Sequence, residues 1–343
     1  MTATVTAYRS EALLVMSREA FEAHFDRPRL DRLRSLVALP DPIWTDELDS
    51  AQARARLATA DLIVTSWGVP RLTADRLAAA ARLKAVFHAA GSVRSLADDV
   101  LWARDIVVTS GADANAIPVA EYTLAAIIFA GKKAPFLAAD AATAYRGWGP
   151  VQGFGDLSNF RRTIGVVGFS RIGRRVVDLL RTLDGPSVLV ADPHADPAEV
   201  EAAGARLVGL DELLPRVDVL SLHAPALPST YQMIGARELA RLPDRATVIN
   251  TARGSLIDSA ALAAECSAGR LFAILDVTDP EPLPADSPLR SAGGNVMVTP
   301  HIAGSLGTEI HRLTDHTLAE LTRWLAGEPL HTRITADAFP LTA

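Results

Sequence analysis

Thr163-Ile164-Gly165-Val166-Val167-Gly168-Phe169-Ser170-Arg171-Ile172-Gly173-Arg174-Arg175-Val176 decides the architecture of this chain. A β-branched run enters a glycine turn and a helix follows. The turn matches the Gly-x-Gly-x-x-Gly pattern of a dinucleotide-binding unit, with Ser170 at its middle glycine. Gly168 allows the tight turn, and Gly173 allows close packing of helix on strand. Ser170, Arg171 and Ile172 then open a helix whose positive end is a seat for a pyrophosphate. Ser170 brings a Cβ to the place where backbone nears the phosphates, and a hydroxyl able to donate to them. The next strand, 187–191, runs into Asp192, nineteen residues after Gly173. That spacing suits a carboxylate accepting from the adenosine ribose hydroxyls, and it repels a 2′-phosphate, which favours NAD over NADP. The turn by itself also reads as an ordinary glycine-containing βα connection; Asp192 weighs against that.

Outward from this unit, residues 164–167, 187–191, 217–222, 247–250, 272–276 and 296–299 read as six strands with helices between most of them, as a dinucleotide-binding sheet needs. Upstream, 12–16, 62–65, 85–87 and 106–109 read as strands, and 73–82 and 96–104 as helices. Such alternation predicts two doubly wound parallel sheets. Pro118 suits the first turn of a helix, predicted to run over 119–132. Gly147, Gly149, Gly153 and Gly155 mark an irregular connection after it. A last helix, 307–326, is expected to return to the first domain. The expected division is therefore 1–114 with 304–343 as a discontinuous domain, and 115–303 as the dinucleotide domain.

At 343 residues the chain suits about two domains. Its 49% hydrophobic and 22% charged residues fit a globular protein rather than a disordered one. A net charge of -6 offers no electrostatic reason to expect a nucleic-acid partner. Cys266 is the single cysteine, which excludes an intrachain disulfide and a cysteine-cluster zinc site, and no metal is expected. The N-terminus lacks a signal-peptide pattern, and the apolar run 124–131 is shorter than a membrane span. The expectation is a soluble cytoplasmic protein with no membrane partner and no large regulatory domain after residue 325.

Three more strand ends carry polar groups: Asn250-Thr251-Ala252-Arg253-Gly254, Asp276 to Glu281-Pro282, and Thr299-Pro300-His301 to Gly304. Singly, Arg253 and Glu281 read as surface charges and His301 as a hydrogen-bonded structural histidine. Jointly, they fall at the carboxyl ends of parallel strands, where α/β proteins bind ligands.

With Ser221-Leu222-His223-Ala224-Pro225, these segments follow the order found in the D-isomer-specific 2-hydroxyacid dehydrogenases. The chain resembles that family over about 83–325, most closely over 163–304. The resemblance implies two Rossmann-like α/β domains with a cleft between them, the first flavodoxin-like, and NAD as cofactor. It implies hydride transfer between NAD(H) and a small 2-hydroxy or 2-oxo acid. By position, Arg253 looks like the substrate-binding arginine, His301 like the general acid/base and Glu281 like the carboxylate that orients it. Asp276 looks like the acid near the nicotinamide ring. Thr251, Ala252, His223, Ala224 and Pro225 would line the cofactor, although His223 also reads as a core histidine. Backbone N–H groups at Gly91 and Ser92 would cradle the substrate carboxylate. The helix 121–132 and the connection through Trp148 resemble the segment by which the family forms homodimers, and read equally as a buried interdomain helix.

The chemistry suits these residue types. Hydride arriving at C2 leaves negative charge on oxygen, which an imidazolium neutralises by donating a proton. A guanidinium fork holds a carboxylate and polarises the carbonyl. Two departures bear on the substrate. Ser92 and Arg94 stand where a second glycine and an acid are common. Thr65 and Trp67 stand in a stretch where phosphoglycerate-oxidising members carry arginines. Two other functions share the scaffold: a non-enzymatic NAD-sensing corepressor, which Arg253, Glu281 and His301 together argue against, and a formate or phosphite dehydrogenase. Glu281 argues against formate, since those enzymes place an amide there.

Overall fold

The computed structural model of the chain describes residues 9–94, 96, 99–139, 151, 153–290 and 294–339. The chain divides into two compact units, Met1–Asn115 with Ser305–Ala343, and Ala116–Gly304.

The first unit carries β1 (Ala12–Val15), β2 (Trp44–Thr45), β3 (Leu62–Thr65), β4 (Ala85–His88), β5 (Val107–Ser110) and, after the chain returns, β13 (Arg333–Ile334). Their order is β13-β5-β4-β3-β1-β2, parallel except for β13 against β5. Read without β13, this 2-1-3-4-5 arrangement is the flavodoxin-like order. β1, β3 and β4 are buried along their whole length, so near-continuous apolar runs stand where alternation would mark a half-exposed strand. Helices start where side chains cap them: Ser17, Asp26, Ser50 and Thr73 each accept an amide from the first turn. The returning helix Ile310–Ala326 buries Ile310, Leu313, Thr317, Leu318 and Leu321, a stripe at helical spacing, and ends at Gly327 in the left-handed region.

The second unit carries β6 (Thr163–Val167), β7 (Ser187–Ala191), β8 (Arg206–Leu207), β9 (Val219–Leu222), β10 (Thr247–Asn250), β11 (Phe272–Leu275) and β12 (Val296–Val298). The sheet is parallel throughout, in the order β12-β11-β10-β9-β6-β7-β8. Strand order reverses between β6 and β9, which makes that edge of the glycine turn the switch point of a doubly wound sheet. Two separate apolar clusters pack on this sheet, one around Leu220 and Val248, the other around Val166 and Ile249.

Both sheets are those the alternation predicts, with differences in detail. β2, β8 and β13 have two residues each and leave no pattern to read. The helix expected at 73–82 is the shorter Ala74–Ala79, and the one expected at 96–104 is described over Asp99–Trp102, residues 97 and 98 lying outside the described residues. The helix expected over 119–132 begins at Ala112 and runs to Lys132 with Pro118 inside it. Proline removes one intrahelical bond, a local cost of about 3 kcal/mol. Burial of Ala114, Ala116, Val119, Ala120, Ala126 and Ile127 opposes that cost. At 21 residues this helix is long and apolar enough to cross a membrane by length and composition, unlike the run 124–131 alone; 56% of its apolar window is buried within the protein. Gly147, Trp148 and Gly149 lie outside the described residues.

Burial also sets an acid limit on stability. His24 and His223 are pushed down to about 3, and His88 to about 4, by burial. His24 bonds Thr314 Oγ1 at 2.8 Å and Ser66 Oγ at 2.7 Å, so its neutral ring is satisfied. In the unfolded chain these rings take up protons below about 6.5. Between that pH and 3–4 the unfolded state therefore binds more protons, and stability falls as pH falls. At pH 5 the expected loss is up to about 2 kcal/mol per histidine. Thermal unfolding followed from pH 7 to pH 5 should show a falling midpoint; a flat profile would contradict the burial of these rings.

Candidate active site

β6 ends in the glycine turn, and the helix Arg171–Leu180 begins with Ser170 as its cap, whose Oγ accepts from Gly173 N–H at 3.3 Å. Ser170 lies at φ -73°, ordinary extended backbone, so a serine is unstrained where the pattern carries glycine. Its oxygen serves the helix, and its proton remains to donate. The two flanking glycines are obligatory. Gly168 lies at φ +97°, and a Cβ there would sit 2.6 Å from Ala224 N; a Cβ on Gly173 would sit 2.0 Å from Gly168 O.

Asp192, one residue beyond β7, accepts from Phe169 N–H through Oδ2 at 2.7 Å and from His194 N–H through Oδ1 at 2.8 Å. The carboxylate is thus fixed to the glycine turn, with lone pairs left for hydroxyl donors. His223 is buried beside the same turn; its Nε2 meets Ser221 Oγ at 2.9 Å, and its Nδ1 has no partner among the described residues. Ala224 is buried and Pro225 partly so. A helix start capped by Ser170, a positioned carboxylate and an orphaned ring nitrogen fit a dinucleotide: pyrophosphate at Ser170, Arg171 and Ile172, ribose hydroxyls at Asp192. If pyrophosphate sits there, Ser170→Gly is tolerated and Ser170→Leu weakens NADH binding by at least tenfold. NADH fluorescence titration reads this, and unchanged affinity in the leucine variant would place the phosphates elsewhere.

Arg253, the Asp276–Glu281 segment and His301 follow β10, β11 and β12, three neighbouring strands. Asn250 builds the first turn: its Nδ2 donates to Arg253 O at 2.8 Å and its Oδ1 accepts from Ala252 N–H at 3.1 Å. Arg253 Nη1 donates to Ala252 O at 2.6 Å. A Cβ on Gly254 would lie 2.0 Å from the carbonyl carbon of Thr278, so only glycine lets this turn rest on the backbone leading to Glu281.

His301 Nδ1 and Glu281 Oε1 are 2.6 Å apart, with both side chains about half exposed. His301 lies at φ +56°, the left-handed region that few non-glycine residues adopt. The reason is visible in the next two amides. Ile302 N–H donates to Asp276 Oδ1 and Ala303 N–H to Oδ2, each at 2.8 Å, while Thr299 Oγ1 donates to Oδ1 at 2.6 Å. Left-handed backbone at His301 turns successive N–H groups onto one carboxylate, as in an anion-binding nest. Asp276 is buried, and its visible work is to hold the histidine loop. Thr251 is also buried, its hydroxyl 2.9 Å from Thr123 Oγ1. Thr299, Tyr122 and Thr123 were not singled out from sequence as site residues; their hydrogen bonds join segments more than a hundred residues apart.

In the first unit, Gly91 and Ser92 follow β4. His88 Nδ1 meets Thr65 Oγ1 at 2.9 Å, and Ser92 backbone also bonds the His88 ring. Trp67 is 41% exposed, its ring 5.4 Å from that of His24. Among the described residues no cluster of His, Cys, Asp and Glu is arranged to hold a metal ion.

Residues 135–303 match the family model described as "D-isomer specific 2-hydroxyacid dehydrogenase, NAD binding domain". The chain is 33% identical over 298 residues to a D-3-phosphoglycerate dehydrogenase of Mycobacterium bovis, covering 86% of this chain and 55% of that protein. It is 34% identical over 171 residues to a hydroxypyruvate reductase of Blautia hydrogenotrophica, covering 50% of this chain and 52% of the relative. The chain thus spans about half the length of the curated relatives it matches. Among solved structures, the D-lactate dehydrogenase of Aquifex aeolicus complexed with NAD and lactic acid superposes with a TM-score of 0.67 at 25% identity, over 92% of this chain and 96% of that one.

Proposed function

Because the chain belongs to the D-isomer-specific 2-hydroxyacid dehydrogenase family, we propose that it interconverts a small 2-oxo acid and its 2-hydroxy acid with NAD(H). The observation that carries this reading is the 2.6 Å contact of His301 with Glu281 on a loop next to the one bearing Arg253.

The cofactor, when bound, supplies or accepts the hydride. Glu281 occupies His301 Nδ1, so Nε2 is the nitrogen left to give a proton to the developing alkoxide, or to take one from a hydroxyl in the reverse direction. Arg253 offers its fork to the substrate carboxylate and 2-oxo oxygen, and holds C2 in one orientation. Positions 65 and 67 carry no cation, so an unphosphorylated acid is the proposed substrate, in contrast to that named for the mycobacterial relative. A cytoplasmic homodimer is part of the same proposal; Phe129, on the helix Ala112–Lys132, is 51% exposed, as a self-association surface requires.

NADH oxidation followed by absorbance with pyruvate, hydroxypyruvate, glyoxylate, benzoylformate and 3-phosphohydroxypyruvate tests the reading. Turnover of an unphosphorylated acid supports it; no turnover of any 2-oxo acid overturns the activity, and preference for the phosphorylated one overturns the substrate. In the same assay NADH should be preferred over NADPH by at least tenfold, and Asp192→Ala should weaken NADH and narrow the preference. Equal kcat/KM for both cofactors in the parent protein would remove Asp192 from that role.

A further inference from the structure

We propose that Tyr122 and Thr123, consecutive residues of the helix Ala112–Lys132, are positioning residues, one for the His301 loop and the other for the Arg253 turn. The inference rests on the reading of His301 and Arg253 given above.

Tyr122 Oη lies 2.8 Å from Thr299 Oγ1, which lies 2.6 Å from Asp276 Oδ1. An ionised carboxylate only accepts, so Thr299 spends its proton on Asp276 and Tyr122 must be the donor to Thr299. Burial, foremost, raises the Tyr122 pKa above its ordinary value, so the phenol keeps its proton throughout the working range. The relay ends on the carboxylate that gathers the amides of Ile302 and Ala303 and holds His301 in its left-handed backbone.

Thr123 Oγ1 donates to Val119 O at 2.7 Å and lies 2.9 Å from Thr251 Oγ1. Its proton being spent, Thr251 must donate to Thr123. This second relay runs the other way and fixes the residue two before Arg253. Both threonines are buried, so water offers no substitute partner. Adjacent positions on one helix, about 100° apart, thus reach two different catalytic loops.

The two relays predict different kinetic signatures with the fastest 2-oxo acid of the panel above. Tyr122→Phe keeps the ring and removes the donor. It should lower kcat about three- to tenfold with KM for the acid within twofold, because His301 acts in the chemical step. Thr123→Val, close in shape without the hydroxyl, should raise that KM three- to tenfold with a smaller change in kcat. Thr123→Ser restores the acceptor and should restore KM. NADH affinity should change less than KM for the acid in Thr123→Val, and should stay within twofold in Tyr122→Phe. A fall in melting temperature with kcat and KM unchanged would make both residues merely structural and overturn the proposal. Equal damage from Thr123→Ser and Thr123→Val would overturn the hydroxyl relay. Full turnover in His301→Ala and Arg253→Ala would instead overturn the catalytic assignment, which separates the two failures.

Discussion

His301→Ala is expected to lower turnover of the 2-oxo acid by 10²–10⁴-fold while NADH affinity changes by less than about twofold. The proton is needed only as charge develops on oxygen, so its loss falls on the chemical step rather than on cofactor binding. Alanine at φ +56° inherits the backbone strain without the hydrogen bond to Glu281, and part of its effect would be a displaced loop. His301→Asn controls for this, since asparagine tolerates the left-handed region better and has no titrating ring. Both variants should lose activity alike if the acid is what matters. Stopped-flow reduction at saturating NADH reads the step directly. Recovery of more than a tenth of parental turnover by His301→Asn would show that the imidazole is not the proton donor.

What the amino-acid sequence discloses of this molecule follows the range of the forces involved. The glycine turn was legible because Gly168 and Gly173 answer local demands, a positive φ and a close backbone approach. Arg253, Glu281 and His301 were legible as residues following strands because short apolar runs, broken by polar, Gly or Pro residues, mark where the strands stop. Pro118 misled because a local rule, proline at a helix start, met non-local burial on both sides of it. Ser170 stands where the pattern carries glycine and is a helix cap, which its backbone angles and its bond to Gly173 disclose. The unusual conformation of His301 has no signature in its neighbours, since its cause is a carboxylate twenty-five residues upstream. Tyr122 and Thr123 escaped for the same reason: each looks like one more residue of an apolar helix until its partner, Thr299 or Thr251, is in view.

Arg253→Ala should produce the other large loss, about 10²–10³-fold in kcat/KM for the 2-oxo acid, the range observed when a donor to a developing oxyanion is removed. Unlike the histidine, Arg253 is proposed to meet the substrate carboxylate in the ground state and the carbonyl oxygen in the transition state, so KM should rise and kcat should fall together. The turn itself should survive, because Asn250 and Gly254 hold it through backbone groups that the substitution leaves in place. Arg253→Lys separates charge from shape. Lysine keeps a positive point charge but has no planar fork to span carboxylate and carbonyl at once, so it should recover only a small part of the loss. Adding guanidinium to Arg253→Ala should restore activity in a saturable way, and ammonium salts at equal ionic strength should not. If Arg253→Lys instead matched the parent in kcat/KM, position 253 would be contributing long-range charge alone, and the carboxylate would have to be held elsewhere.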